Sequence, residues 1–277
     1  MKDICSINGT IQPIDKATIS LADIESQYNF GVYETIKVRN SVVYFVTQHI
    51  NRLFHSAQII NLEHQFVSSQ IESYIQAFAE ELQEESSNLK ILLYGGSTKE
   101  EAKLIILASA PFYPNRKWYK EGVTMTSFEY ERWMPQAKTL NMLPSYYYYK
   151  KAKQQTAYDA LLIDRQGNML EGTRTNIYLL KGKTIYSPPK KVILEGVTLM
   201  SLEKIIEGSE YTMQFQELPF DSIVNYDGMF LSSTSSKILP VRQVNDFRFE
   251  EIAPEITELV KLYDTALTLS NGDFMKL

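Results

Sequence analysis

The chain alternates between two hydrophobic periods, and this alternation limits its fold more than any other feature. Short runs with apolar residues at every second position meet at tight turn signals, as paired strands do. ICSINGTIQPI doubles back on Asn8-Gly9, a dipeptide that accepts the positive φ of a two-residue hairpin turn. VYETIKVRN and VVYFV meet at Asn40-Ser41, ALLIDRQGNML turns at Gln166-Gly167, and NIYLLKGKTIYS turns at Gly182. Between these pairs the period becomes helical. Ile50, Leu53, Ala57 and Ile60 line one helix face with Thr47 as its expected N-cap, and Ile71, Tyr74, Ile75, Phe78 and Leu82 line another. Further helices are expected from Pro144, through VTLMSLEKII, and from Ile252 to Leu269; LKILLYGG, KLIILASA, VTMTSFEYER and MFLSS read as strands. Hairpins and helices without a repeat of fixed period specify an α+β protein.

The 277 residues, 44% of them hydrophobic, suffice for two domains with a core each. PFYPNRKWYKEG breaks the pattern with two prolines, a glycine and several charges. The expected division is a small N-terminal α/β domain over 1–112, a linker over 113–121, and a larger domain over 122–277. The net charge of −5 comes without a basic patch, so nucleic acid is not an expected partner. Cys5 is the single cysteine, which rules out a disulfide within the chain and suits a reducing compartment. The N-terminus lacks an apolar signal core, and no apolar run approaches the ~20 residues of a membrane span. The expectation is a cytoplasmic protein without membrane contact or a bound metal.

Two segments suggest chemistry. AKTLNML sets Lys138 between aliphatic neighbours, and a lysine that attacks a carbonyl needs a pocket that keeps it neutral. Alone, such a lysine is most often a surface residue with a buried stem. After a helix-length stretch and a hairpin, Glu171 opens EGTRTN, a Gly/Thr turn leading to Asn176. Alone, it is a hairpin-end carboxylate in water. Tyr146 to Tyr149 cannot all face the core from one helix, so some must line a cleft or an interface.

The order and spacing of these segments resemble the fold-type-IV pyridoxal-phosphate (PLP) enzymes: D-amino-acid and branched-chain aminotransferases and aminodeoxychorismate lyase. RWMPQAKTLN resembles the family's lysine strand, with Pro135 and Asn141 three positions either side of Lys138, and EGTRTN resembles its glutamate turn. HINRLFHSA resembles its H-x-x-R-L-x-x-S-A helix, EGVTLM its phosphate-binding helix start, and SSTSSKILPV its Ser/Thr-rich loop. The resemblance spans about residues 5 to 245. It implies a two-domain α+β fold and a homodimer. It also implies that Lys138 holds the cofactor as a Schiff base and moves the Cα proton, while Glu171 keeps the pyridine nitrogen protonated. Arg52, Asn176, Val197, Thr198, Thr234 and Ser235 fall at cofactor-binding positions.

The substrate side departs from the pattern. Tyr33 and Lys37 resemble the D-amino-acid aminotransferase pocket wall, yet Asn29 and Phe30 replace the usual Gly-Asp. Its Arg-x-His pair has no counterpart in LLYGGST. Met142 stands where the branched-chain enzymes carry tyrosine. Thr35 resembles a threonine of the lyases, and Arg174 occupies a position usually filled by glycine or serine, from which a guanidinium can bind a carboxylate bidentately. The expected activity is an aminotransferase acting on a small amino acid and keto acid. The alternative is a lyase releasing pyruvate and 4-aminobenzoate from a chorismate-derived substrate.

Overall fold

The computed structural model describes residues 2–20 and 23–277. The chain forms two compact units, one of Met1–Phe112, Ala137–Asn141 and Asn271–Lys276, the other of Tyr113–Gln136, Met142–Ser270 and Leu277.

The first unit contains β1 (Ile4–Ile7), β2 (Thr10–Pro13), α1 (Ile24–Gln27), β3 (Gly31–Arg39), β4 (Val42–Val43), α2 (Val46–Ile59), α3 (Ser68–Leu82), β5 (Ser86–Tyr94) and β6 (Lys103–Ser109). Its strands form an antiparallel sheet in the order β2-β1-β6-β5-β3-β4. Alternation along β3 sends Val32, Ile36 and Val38 into a core with Ile50 and Leu53 of α2 and Ile71, Ile75 and Phe78 of α3. Each of these large apolar side chains contributes about 1.5–3 kcal/mol on burial. Tyr33, Thr35 and Lys37 occupy the opposite, half-buried face. The hairpin turns fall where the sequence puts them, with Asn8, Gly9, Asn40 and Ser41 at positive φ.

The second unit contains α4 (Arg116–Glu121), β7 (Val123–Glu129), α5 (Leu143–Gln154), β8 (Asp159–Ile163), β9 (Met169–Gly172), β10 (Asn176–Lys181), β11 (Thr184–Ser187), α6 (Val197–Ile206), β12 (Thr212–Phe215), β13 (Gly228–Ser233), β14 (Lys237–Val244), β15 (Phe247–Arg248) and α7 (Pro254–Ser270). Its strands run β12-β11-β10-β13-β14-β7-β8-β9, with β15 on β14. β9 also pairs with β10 through Glu171 and Asn176, so six strands close into a ring. One core fills the ring interior with Leu161, Ile177, Met229 and Leu239; a second lies under α6 and α7 around Tyr178 and Phe230, whose rings stack at 4.6 Å.

Three details differ from the sequence expectations. α2 begins at Val46 behind Phe45 in the left-handed region, without a side-chain cap, so Thr47 lies inside the first turn. The stretch expected as a linker carries α4, because the Asn115 side chain accepts from the Lys117 N–H at 2.9 Å and starts a helix there. Residues 137–141, expected within 122–277, group with the first unit because Thr139 bridges Val32 beside β3. Among the described residues no helix is long and apolar enough to cross a membrane.

Candidate active site

In the first unit the Lys138 strand runs along the free edge of β3. The Tyr33 N–H donates to the Lys138 carbonyl at 2.9 Å, and the Leu140 N–H donates to the Gly31 carbonyl at 2.9 Å. A Cβ on Gly31 would meet the Leu93 carbonyl oxygen at 2.6 Å, so glycine is what lets the strands close up there. The Lys138 N–H donates to Ser56 Oγ of α2 at 3.0 Å. Its ammonium lies 4.3 Å from the centroid of the Tyr33 ring. Thr35 and Lys37 follow Tyr33 on the same strand face, at rising distance along β3.

Arg52 lies on the His49/Ser56 side of α2, and there it meets an acid. Its Nε donates to Glu34 Oε1 and its terminal nitrogen to Glu34 Oε2, both at 2.7 Å. His49 Nδ1 lies 2.7 Å from the same Oε2. Glu34 is 1% exposed, yet burial, which alone would raise its carboxyl, is overridden by Arg52 and His49; the group is held far below the usual carboxylate range. His49 is pushed down, by burial first, against the opposing pull of Glu34. It is therefore a neutral imidazole whose Nδ1–H donates to an acceptor-only carboxylate. Lys138 also acts on the His49 charge, which places the lysine beside this triad.

In the second unit the ring closure brings Glu171 and Asn176 together next to the strand that leads into the Thr234–Ser235 turn. Glu171, Asn176 and Ser232 are successive cross-strand partners on β9, β10 and β13. The Leu194 peptide ties the first two: its N–H donates to Glu171 Oε2 at 3.2 Å, and its carbonyl accepts from Asn176 Nδ2 at 2.8 Å. Two residues on, Gly196 caps α6 without a side-chain hydrogen bond, so Val197 and Thr198 stand at a helix N-terminus open to an anion. A Cβ on Gly196 would collide with Asn176 Oδ1. The Tyr263 hydroxyl bonds to Thr198 and Ser201, and burial pushes its pKa up to about 12. Thr234 and Ser235 form the β13–β14 turn, closed by Ser233 Oγ and Ser236 Oγ at 2.7 Å.

The Glu171 carboxylate is buried, and Arg132 Nε donates to its Oε1 at 2.6 Å. Arg132 also donates to the Pro135 carbonyl, which anchors the guanidinium to the strand end leading toward Lys138. These features fit pyridoxal phosphate. A buried carboxylate can accept from a pyridinium N–H, and a bare helix N-terminus and a hydroxyl-rich turn each suit a phosphate.

Glu34 and Arg132 are site-neighbouring residues that the sequence reading did not single out, whereas His49 and Ser56 entered it only as members of the H-x-x-R-L-x-x-S-A match. One signal was present: Glu34 occupies the core-facing register of β3, where a carboxylate requires a partner. Arg174 caps the turn between Glu171 and Asn176, over Tyr149 and Tyr158. Tyr146 and Tyr147 are exposed, and Tyr148 packs on Phe128 and Tyr130. Among the described residues no group of three acidic, His or Cys side chains gathers to hold a metal.

The family described as amino-transferase class IV matches residues 31–244. The chain is similar to a D-alanine aminotransferase of Bacillus licheniformis, 28% identical over 269 residues that cover 94% of each protein. It is similar also to a D-alanine aminotransferase of Staphylococcus aureus (strain COL), 27% identical over 274 residues, 93% of this chain and 96% of the relative. Among solved structures, a branched-chain amino acid aminotransferase of Escherichia coli superposes with a TM-score of 0.86 at 21% identity, covering 94% of this chain and 93% of that one. A hypothetical aminotransferase from Mycobacterium tuberculosis, in PLP-bound form, gives 0.84 at 18% identity, covering 95% and 98%. At these identities the two structures speak to the fold, which is fold type IV as expected.

Proposed function

The chain belongs to the class IV amino-transferase family and is a PLP-dependent aminotransferase, and we propose that it moves the amino group of a small amino acid, D-alanine first among them, to a 2-keto acid. The observation that carries this reading is Glu171: a buried carboxylate, paired with Arg132, on the turn into Asn176 and one peptide tie from the α6 N-terminus. The choice of D-alanine follows the names of the relatives. None of the relatives or structures reported above is a lyase, and the aminodeoxychorismate alternative is set aside.

When bound, pyridoxal phosphate supplies an electron sink for the carbanion at the substrate Cα. In our reading Lys138 is the amine that attaches the cofactor's aldehyde and, once displaced, moves the proton at Cα. Ser56 fixes its backbone, and Tyr33 lies under its ammonium. Glu171 holds a proton on the pyridine nitrogen. Val197 and Thr198 present backbone N–H groups to the phosphate, Thr234 and Ser235 add hydroxyls, Arg52 adds a guanidinium, and Asn176 keeps the Leu194 peptide in place. Tyr33, Thr35 and Lys37 supply the substrate wall on the β3 face. A homodimer in the cytoplasm completes the reading; buried Cys5, its thiol pushed up by burial, is compatible with that compartment.

The test is the visible absorption of PLP-loaded protein titrated with D- and L-amino acids in the absence of keto acid. Bleaching by D-alanine to the pyridoxamine form is expected, and Lys138→Ala is expected to lose the absorption of the lysine-bound cofactor. An unchanged spectrum in Lys138→Ala would overturn the assignment of Lys138.

A further inference from the structure

The tip of the Glu171–Asn176 turn carries a cluster that this reading leaves unused. The Arg174 guanidinium lies 4.6 Å from the Tyr149 ring centroid and 5.3 Å from that of Tyr158. The Lys153 ammonium approaches the same two rings, at 5.4 Å and 5.2 Å. Two cations therefore share one pair of aromatic faces, a placement that the ring quadrupoles favour and the mutual repulsion opposes. Lys153 shows the strain: its pKa is pushed down, by burial first and then by Arg174.

Asp159 acts on both cations but faces inward. Its Oδ1 accepts from the Thr173 hydroxyl at 2.5 Å and the Ala160 N–H at 2.9 Å, and its Oδ2 from the Thr175 hydroxyl at 3.2 Å. Burial raises its carboxyl, which weakens it as a counterion. The aromatic platform is fixed in advance. Tyr158 is buried, packs edge-on against Trp118 at 5.3 Å and bonds to Ser236. Arg174 itself is exposed, so a ligand can reach it. A planar guanidinium and a point-charge ammonium on a rigid platform suit a carboxylate, one part by a two-pronged hydrogen bond and the other by attraction.

We propose that Arg174 and Lys153, seated on Tyr149 and Tyr158, form the subsite that binds a carboxylate of the substrate. The inference rests on the aminotransferase reading above. The carboxylate is either the α-carboxylate common to all amino-acid donors or the second carboxylate of a dicarboxylic donor or acceptor, and the experiment separates the two.

PLP-loaded parent, Arg174→Ala and Lys153→Ala are compared with D-alanine, D-glutamate and an amine that lacks any carboxylate. Arg174→Ala is expected to raise KM at least tenfold for the carboxylate-bearing donor, with kcat within about threefold and the amine unaffected; Lys153→Ala shifts KM in the same direction by less. A rise for both amino acids identifies the α-carboxylate, and a rise for D-glutamate alone identifies the second one. Unchanged KM values, or an equal loss with the amine, overturn the proposal and leave Arg174 as a packing group of the turn. Calorimetric titration with propionate and glutarate reads the subsite without turnover: at least tenfold weaker binding in Arg174→Ala is expected, and equal binding refutes it. If the parent converts no donor, the aminotransferase reading fails, and the titration still decides the subsite.

Discussion

Glu34→Gln tests the physical reading of the first unit most sharply. The carboxylate is 1% exposed and accepts three donors at 2.7 Å, two from Arg52 and one from His49. The glutamine amide has the same shape but one acceptor oxygen and no charge. With that oxygen turned to the position of Oε2 it still accepts from His49 and from the Arg52 terminal nitrogen. Its NH2 then faces Arg52 Nε, donor against donor. Arg52, 9% exposed, becomes a buried cation without its counterion, and breaking such a pair from one side costs about 3–5 kcal/mol. At about 2–4 °C per kcal/mol for chains of this size, thermal unfolding of the first unit should fall by roughly 6–20 °C at pH 7. The sign with pH follows from the depressed folded-state pKa. Stability from this carboxylate is fully present above the unfolded pKa of about 4.3 and is lost as pH falls below it, so the gap between parent and variant should narrow in acid. Adding Arg52→Met removes the stranded cation and should recover at least half of the loss. Differential scanning fluorimetry from pH 3 to 8 reads all three proteins. A loss below about 1 kcal/mol at pH 7, or a double variant no more stable than Glu34→Gln, refutes the argument that the buried pair is coupled.

Gly196→Ala drives a methyl group into Asn176 Oδ1 and should lower stability by about 1–3 kcal/mol while weakening cofactor retention; a denaturant midpoint and a dialysis-resistant PLP content check both. Asp159→Asn keeps the buried shape and can donate to Thr175 while accepting from Thr173 and Ala160, so it should change stability by less than about 1 kcal/mol; Asp159→Ala, which strands two hydroxyls, should cost about 2–3 kcal/mol by urea denaturation. His49 is held neutral in the fold, so the unfolded chain binds its proton first and stability should rise with pH toward about 6.5; His49→Gln should flatten that segment of a stability–pH curve.

The hairpins and long helices were legible because their periods and turn residues act locally. Asn8-Gly9 and Asn40-Ser41 mark turns whose positive φ values these residues tolerate. The α2 start was not legible, because Phe45 enters the left-handed region, held by its N–H donating to the Gly272 carbonyl at 2.9 Å from far along the chain. The 116–121 helix was obscured by neighbouring prolines that end elements but do not prevent a short capped one. At the site, spacing identified the lysine, the turn and the helix, but not their partners. Arg132 and Glu171 meet across 39 residues, and Glu34 and Arg52 across 18, and only register and packing decide such meetings. Lys153 was missed although its ring neighbours are local, Tyr149 one turn before it on α5 and Tyr158 just ahead of β8.

Glu34 and Glu171 are both buried and both paired with arginine, and the difference between them argues for separate roles. An ionised carboxylate has about four acceptor sites. Glu34 fills three of them from α2, with both oxygens facing one arginine fork, which makes it a fixed counterion with little capacity for a ligand. Among the described residues Glu171 accepts from Arg132 on one oxygen and from the Leu194 N–H on the other. Those two bonds orient it, and a carboxylate oriented this way can accept a further donor. A pyridinium N–H is a donor of that kind, and a single charge-assisted bond is what it requires. Glu171→Gln, which keeps the shape and removes the charge, should therefore impair proton movement at the substrate Cα far more than PLP retention. Single-turnover kinetics against cofactor content distinguishes the two, and an equal loss in both would place Glu171 among the structural anchors instead.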